Sequence, residues 1–257
     1  MIALAPLPTF RPAPSKQIPG CFTANVRPGQ DVLVAIHGIS RNAAEIATRF
    51  AAHPAFARTT IIAPLFTPKP FGKYQQMMAR RRGETPSDKA LIALLETLAA
   101  EHGIATDKVR MFGFSGGAQM AHRFAMFHPE RISRLCVASA GWYCLPRADL
   151  AYPYGIGGTA GEALVGPHFL DIPTTVIVGN RDVRVDDSVR QDAVIVAHQG
   201  KNRLRRAHGF VHAMTAYAHE QGRPANVSLL TLPDVSHDFT ACVSEGGLLD
   251  AAAAALL

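Results

Sequence analysis

The sequence VRMFGFSGGAQMAHRFAMFHPERI, residues 109–132, predicts a short strand, a sharp turn and a helix in direct succession. The first four residues are mostly apolar and run into a glycine, as in a buried strand. After the turn, apolar residues recur with the 3.6-residue period of a helix. That helix should end near His128, because the residue before a proline is disfavoured in helical backbone. Between the strand and the helix, residues 113–117 read GFSGG, a Gly-x-Ser-x-Gly motif.

The position of this motif makes Ser115 a candidate nucleophile. A serine in a tight strand-to-helix turn has strained backbone angles, and the residues two positions to either side must lack a Cβ. The free N–H groups and the positive dipole end of the following helix then lie beside any oxyanion that forms there. In a chain with 21 glycines the motif also arises by chance. The strand before it and the helix after it favour the catalytic interpretation.

Length and composition predict one globular domain. The chain has 257 residues, of which 48% are hydrophobic and 18% charged, enough to bury a full core. We expect a single domain over residues 1–257, with an irregular segment at 1–20. The net charge is +6, and arginines cluster at Arg80–Arg82 and at Arg203, Arg205 and Arg206. Neither cluster has interleaved aromatic residues, so both are interpreted as solvated faces and no nucleic-acid partner is predicted.

Other features of the sequence indicate what the protein lacks. The four cysteines have no CxxC or metal-ligand spacing, and the histidines and acids form no HExxH pattern, so neither a disulfide framework nor a metal site is predicted. The sequence YPYGIGGTAG, residues 152–161, follows no strand and is not a dinucleotide loop, so we expect no cofactor. Prolines interrupt the N-terminal segment, and no apolar run is long enough to span a membrane. A cytoplasmic protein without a membrane partner is therefore expected.

Strands and helices alternate along most of the chain. This order predicts an α/β fold with a mostly parallel sheet and helices on both faces, a three-layer sandwich without a large cap domain. Ligands of such sheets bind at the carboxyl ends of the strands. Four notable segments follow predicted strands in this way: His37-Gly38-Ile39, Ser115, Asp182 and His237.

These residues resemble the α/β-hydrolase superfamily. The resemblance rests on HG after an early strand, GFSGG at the turn, GNRD after a late strand and SHDF before the last helix. It covers nearly all of the chain from about residue 31 onward, and within the superfamily it is similar to the single-domain esterases of the polyhydroxybutyrate-depolymerase-like or dienelactone-hydrolase-like kind. The resemblance implies the α/β-hydrolase fold and a serine hydrolase that acts on a small-molecule ester or thioester through an acyl-enzyme.

The resemblance also implies a role for each residue. Ser115 would be the nucleophile, His237 the general base and then acid, and Asp182 the carboxylate that orients the histidine. The backbone N–H groups of Ile39 and Gly116 would form the oxyanion hole. The glycine-rich HGGG form of this loop is missing, which argues against hydrolysis of tertiary-alcohol esters. His37 is interpreted as a hydrogen-bonded brace of its loop rather than as a catalyst.

Several alternatives stay open at this point. Asp182 comes first after its strand and matches G-x-x-D, but other acids compete for the same role: Asp186, Asp187, Asp234 and Asp238. Trp142 and Tyr143 follow a strand near the site, where they either bind substrate or fill the edge of the core. A hydrolase-fold protein that binds a small molecule without turnover is the alternative outside the enzymes. Among enzymes, a peptidase or an acyltransferase is the alternative.

Overall fold

An eight-stranded sheet forms the centre of the protein in a computed structural model, which describes residues 7–78 and 83–257. The strands are β1 (Thr9–Arg11), β2 (Gly20–Ala24), β3 (Val32–Ile36), β4 (Thr60–Leu65), β5 (Val109–Phe114), β6 (Ile132–Ala138), β7 (Thr174–Gly179) and β8 (Val227–Leu232). Their spatial order is β1-β2-β4-β3-β5-β6-β7-β8. The β1-β2 and β2-β4 pairs are antiparallel, and the strands from β4 to β8 run parallel to their neighbours.

Helices cover both faces of this sheet. They are α1 (Ala43–Ala52), α2 (Ser87–His102), α3 (Gly116–Phe127), α4 (Ala193–Gln199), α5 (Arg203–Glu220), α6 (Phe239–Ser244) and α7 (Leu248–Leu256). Apolar residues of α2, α3 and α5 pack in one core beneath the sheet, and those of α1, α6 and α7 pack in a second core above it. Because both faces are covered, central strands such as β3 are buried at every residue. The predicted α/β class with helices on both faces is confirmed.

Most predicted elements lie close to where the sequence placed them. The last strand has its predicted bounds, Val227–Leu232, and α3 ends at Phe127, directly before His128. The predicted terminal helix is divided into α6 and α7 around Gly246-Gly247, where Gly247 has a positive φ of 69°. The apolar periods were long enough in these segments to fix both the type and the position of each element.

Three features differ from the sequence-based expectation. The segment expected to be irregular contains β1, which pairs with β2, and α4 was not predicted. Ser87 precedes the apolar period of α2, where a serine is expected to cap the helix, but the helix begins at Ser87 itself, and its hydroxyl instead donates to the carbonyl of Tyr74 at 2.7 Å. The arginine cluster at 80–82 lies outside the described residues. Within residues 7–78 and 83–257, no helix has both the length and the apolarity that a membrane crossing requires.

Candidate active site

Ser115 lies in the sharp turn between β5 and α3, with φ 55° and ψ −114°, a strained conformation for a residue with a side chain. The glycines on either side explain how the chain turns so tightly. A Cβ at Gly113 would lie 2.4 Å from the carbonyl oxygen of Gly117, and a Cβ at Gly117 would lie 2.0 Å from that of Ile36. The predicted strand, turn and helix are therefore present, and the serine side chain projects at the carboxyl end of β5.

His237 connects Ser115 to Asp182 through hydrogen bonds. Its Nε2 is 3.0 Å from Ser115 Oγ, and its Nδ1 is 3.1 Å from Asp182 Oδ2. An ionised carboxylate only accepts hydrogen bonds, so Nδ1 carries the proton and Nε2 accepts from the serine hydroxyl. Asp182 is 1% exposed, whereas the His237 side chain is 21% exposed. The imidazole thus lies between a buried carboxylate and a hydroxyl that a ligand can reach.

Two neighbouring strands bring Asp182 and His237 together. Asp182 follows β7, and His237 lies in the loop after β8, which pairs with β7 along its length. The loop crosses the end of β7 closely, since the N–H of Arg181 donates to the carbonyl of Val235 at 3.0 Å. A Cβ at Gly179 would lie 2.2 Å from that same carbonyl oxygen. The glycine of the sequence GNRD therefore allows the approach that joins the carboxylate to the imidazole.

The other acids that competed with Asp182 have different partners. Asp234 pairs with Arg181 at 2.8 Å, and Asp238 accepts from the N–H of Ala241 as the N-cap of α6. Asp186 accepts from Ser188, and Asp187 is exposed to solvent. Asp182 is accordingly the carboxylate that the structure places against His237.

Two main-chain N–H groups lie close to each other beside the turn that carries Ser115. Gly116 is the first residue of α3, and a Cβ added to it would lie 3.3 Å from the amide nitrogen of Ile39. Within the described part of the chain, neither N–H donates to a recorded protein acceptor. Unpaired N–H groups at a helix start are suited to receive negative charge. The two predicted oxyanion-hole residues are thus neighbours in space.

His37 and Tyr74 hold the loop that carries Ile39. His37 Nδ1 donates to the carbonyl of Gly38 at 2.7 Å, and Nε2 accepts from the N–H of Phe66 at 3.0 Å. The hydroxyl of Tyr74 donates to the carbonyl of His37 at 2.8 Å. Burial lowers the pKa of His37 to about 4, so the ring stays neutral and keeps both hydrogen bonds. His37 therefore braces the loop that carries Ile39 through hydrogen bonds, as the sequence suggested.

A cavity of about 390 Å³ opens beside the Ser115 hydroxyl. This size accommodates a small ligand. Its walls come from the loop after β3, the start of α1, the turn at Ser115 and the loop after β8, and Ser188 and Arg203 complete the lining. Phe114 stacks on the His237 ring at a centroid distance of 5.3 Å and an angle of 22°, which helps to fix the ring plane.

The sequence left substrate binding and core packing open for Trp142 and Tyr143, and the structure places both side chains in the core. Tyr143 is fully buried and stacks on Phe210 at 4.3 Å. Trp142 is 3% exposed, and the guanidinium of Arg123 lies 4.2 Å from its ring centroid. Neither residue lines the cavity at Ser115. After β6 the chain turns inward, toward α5. The position of these two residues at the end of a strand did not indicate this turn.

The expectation of solvated arginines near residue 203 is wrong for two of the three. Arg203 is 2% exposed and contacts Asp182, and Arg206 is fully buried and donates to the carbonyl of Gly141 at 2.6 Å. Arg205 is exposed as expected. Asp182 and Gly141 lie 21 and 65 residues from these two arginines in the sequence, so no local pattern pointed to either contact.

Comparison with solved structures places this geometry in a known fold. The sequence matches no protein-family model, and a search of curated proteins found no match. The structure is similar to poly(aspartic acid) hydrolase-1 from Sphingomonas sp. KT-1, with a TM-score of 0.76, 24% identity and coverage of 93% of each chain. It is also similar to LpqC, the poly(3-hydroxybutyrate) depolymerase from Bordetella parapertussis (TM-score 0.74, 22% identity, covering 93% of this chain and 90% of that one).

A third similar structure shares the fold at lower sequence identity. It is an S-formylglutathione hydrolase from Agrobacterium tumefaciens, with a TM-score of 0.62, 13% identity and coverage of 97% of this chain and 95% of that one. At these identities the likeness establishes the fold. The protein therefore has the α/β-hydrolase fold, and the resemblance inferred from the sequence motifs is confirmed at that level.

Proposed function

We propose that the protein is a serine hydrolase that cleaves a carboxylic ester or thioester of small to medium size. The observation that carries this proposal is the unbroken hydrogen-bond chain from Ser115 Oγ through His237 to Asp182, beside two unpaired main-chain N–H groups. A hydroxyl, a base and a carboxylate in this order activate a nucleophile, and N–H groups at its side stabilise the charge that attack creates. The known hydrolases that share the fold support the same assignment.

The first half-reaction would transfer the acyl group to Ser115. The hydroxyl oxygen attacks the acyl carbon while its proton passes to His237 Nε2. The former carbonyl oxygen becomes negative and accepts hydrogen bonds from the N–H groups of Ile39 and Gly116. Asp182 stabilises the imidazolium without taking its proton. When the tetrahedral intermediate collapses, the bond to the leaving oxygen or sulfur breaks, and His237 Nε2 gives its proton to that atom.

The second half-reaction would release the acid. Water enters the position of the leaving group and gives a proton to His237 Nε2 as it attacks the acyl carbon. The same two N–H groups hold the oxyanion again, and collapse breaks the bond to Ser115 Oγ, which regains its proton from the imidazole. The side chain of His237 is partly exposed, so water has access to Nε2.

Labelling with a fluorophosphonate tests the nucleophile directly. The probe should modify one serine, and mass spectrometry of the digested protein should locate it at Ser115. Ser115→Ala should abolish labelling and lower kcat for p-nitrophenyl acetate by about 10⁴-fold or more, because the three side chains act as a unit. Ser133→Ala, at the opposite end of the sheet, serves as the control and should label normally. Folded Ser115→Ala that retains wild-type activity would contradict the proposal.

The same probe separates the enzyme from a hydrolase-fold binding protein. A binding protein needs no activated hydroxyl, so folded wild-type protein that resists labelling would favour it. A substrate panel then divides the enzymes. We expect turnover of p-nitrophenyl esters and acyl thioesters to exceed that of peptides and of poly(aspartic acid). Transfer of the acyl group to an added alcohol in preference to water would indicate an acyltransferase.

A further inference from the structure

Arg203 contacts the oxygen of Asp182 that His237 leaves free. Its Nη1 lies 3.3 Å from Asp182 Oδ1, whereas His237 Nδ1 lies 3.1 Å from Oδ2. The side chains of the arginine and the aspartate are 2% and 1% exposed. Buried charges are weakly screened by water and salt, so this contact acts on the carboxylate far more strongly than a surface ion pair would.

The Asp182 carboxylate depends on these two contacts for its orientation. Within residues 7–78 and 83–257, its recorded hydrogen-bond partners are His237 and Arg203. A carboxylate held at one oxygen rotates about its Cβ–Cγ bond, whereas contacts at both oxygens fix its plane. Arg203 therefore determines where Oδ2 points, and through it the orientation of the imidazole.

Arg203 is itself held in place from two directions. Its Nη2 donates to Ser188 Oγ at 2.8 Å, and Ser188 in turn donates to Asp186. The main chain adds a second link, because the N–H of Leu204 donates to the carbonyl of Asp182 at 3.1 Å. The pKa of Asp186 is lowered, chiefly by its hydrogen bonds from Ser188, so it stays ionised at the outer end of this series. The guanidinium is thus held at Nη1 and Nη2, whereas its buried Nε has no hydrogen-bond partner among the described residues.

We propose that Arg203 is a positioning residue of the active site, which fixes the Asp182 carboxylate and, by its charge, sets the pH range in which His237 works as a base. This inference rests on the proposed function, because it concerns the same reaction. Arg203 and Ser188 line part of the cavity beside Ser115, but the side-chain hydrogen bonds of Arg203 within the described residues go to Asp182 and Ser188, not to Ser115. Its effect passes through Asp182.

The direction of the pH effect follows from the signs of the charges. The negative charge of Asp182 favours the protonated imidazole, which cannot accept a proton from Ser115. The positive charge of Arg203 opposes that effect. Without the arginine, its positive charge no longer opposes the effect of the Asp182 carboxylate on the imidazole. The acid limb of the profile of kcat/KM against pH should then move to higher pH.

The other ionisable groups near the triad do not reproduce this effect. Glu45 and Asp238 line the cavity and are unchanged in any variant of Arg203. Burial, with a smaller contribution from the triad carboxylate, raises the pKa of Tyr143 and raises that of Cys242 to about 11, so both are neutral in the assay range. Burial lowers the pKa of Arg206 to about 10, so it keeps its charge.

The central test compares Arg203→Met with Arg205→Met. The two arginines lie on the same turn of α5, but Arg205 is exposed. Active sites are first counted with fluorophosphonate, so that kcat refers to folded sites only. We expect Arg203→Met to lower kcat about 10- to 100-fold through misplacement of the base. We also expect it to move the acid limb upward by about one pH unit. Arg205→Met should change neither.

Two milder variants serve if Arg203→Met does not fold. Arg203→Lys keeps the charge but loses the fork that reaches Ser188, so it should leave the acid limb near its wild-type pH while kcat falls. Ser188→Ala removes the outer anchor and should lower kcat about threefold, as expected for one lost hydrogen bond. Wild-type kcat per active site in both variants would overturn the proposal, as would an acid limb unmoved in a folded Arg203→Met protein.

The pH dependence of fluorophosphonate labelling gives a readout that does not need ester turnover. The labelling rate should show the same upward displacement in Arg203→Met as kcat/KM does. Wild-type protein that labels at Ser115, together with an Arg203→Met protein whose profile is unchanged, would reject the role of Arg203 and leave the proposed function standing. Wild-type protein that does not label would instead reject the proposed function.

Discussion

The two sides of the Ser115 hydroxyl are built from different kinds of atoms. On one side are the main-chain N–H groups of Ile39 and Gly116, which we propose as the oxyanion donors and call the amide side. On the other side lie the side chains of His237 and Asp182, which we call the relay side. Uncharged buried groups hold the amide side in place, whereas a buried ion pair supports the relay side.

This difference determines how each side responds to mutation. A side-chain replacement deletes a member of the relay side outright. The amide side survives any change of side chain that leaves the main chain in place, so it is altered only through steric pressure or through loss of its supports. The relay side should therefore show large effects from conservative substitutions, and the amide side should show graded effects from substitutions in its surroundings.

The largest effect is expected on the relay side, from Asp182→Asn. The amide keeps the shape of the carboxylate but loses the charge that stabilises the imidazolium and selects the tautomer of His237. We expect kcat for p-nitrophenyl acetate to fall by about 10⁴-fold. Asp186→Asn is the matched control and should retain activity to within about threefold, since Asp186 contacts Ser188 and not His237. Equal losses of kcat in the two variants would show that the charge of Asp182 is not specifically required.

The next effect is expected on the amide side, from Gly116→Ala. Its Cβ would lie 2.8 Å from the Tyr74 hydroxyl and 2.9 Å from Ile39 Cγ2, so the loop after β3 must shift. Displacement of one donor should lower kcat about 10²- to 10³-fold with little change in KM. Gly209→Ala is the control, because its nearest neighbouring atom is 4.0 Å away. The measurement is steady-state kinetics of both variants. Wild-type kcat in Gly116→Ala would show that the added Cβ does not disturb the amide side.

The brace of the amide side should make stability depend on pH. His37 is neutral when folded, with its pKa lowered to about 4 by burial, whereas the unfolded chain binds a proton below pH 6.5. This stabilisation is complete above pH 6.5 and is lost as the pH falls toward 4. Over that interval the free energy of unfolding should fall by about 3 kcal/mol more in wild type than in His37→Gln.

Urea unfolding at a series of pH values measures this difference. His208→Gln replaces an exposed histidine of α5 and should keep the wild-type dependence. If the free energy of unfolding fell equally with pH in wild type and His37→Gln, protonation of His37 would not destabilise the folded protein.

The smallest effect is expected from Tyr74→Phe, which removes one support of the amide side. The Tyr74 hydroxyl donates to the carbonyl of His37 at 2.8 Å, and it is buried. Its loss should cost about 1 kcal/mol of stability and should reduce kcat only a few-fold, because His37 still holds the loop. Tyr217→Phe, whose ring stacks on Phe169 far from the site, provides the comparison in thermal melts and kinetics.

Local patterns in the sequence predicted the sheet and the position of the candidate nucleophile. The GFSGG turn was recognisable because a strand of apolar residues and a helical period flank it. The residues after β7 and β8 could be assigned to one edge because the carboxyl ends of parallel strands meet there. These placements did not require the strand order, since each depends only on the residues that come directly after one strand.

Features that depend on pairing between distant segments could not be predicted. Arg203 looked like part of a solvated cluster because Asp182, the group that stabilises its charge, lies 21 residues earlier. The position of Trp142 and Tyr143 after β6 left substrate binding and core packing open, and only the course of the chain under α5 shows that both are buried. The strand β1 has three residues, too few to show a period, and it owes its existence to pairing with β2.

Ile39 contributes to the site with two separate sets of atoms. Its N–H is one of the two donors that we propose for the oxyanion, while Ile39 is 51% exposed and lines the cavity. A substitution at position 39 can thus change the shape of the cavity entrance while the main chain stays in place. Position 39 is accordingly a natural point for divergence of substrate preference, and the first position to randomise in directed evolution.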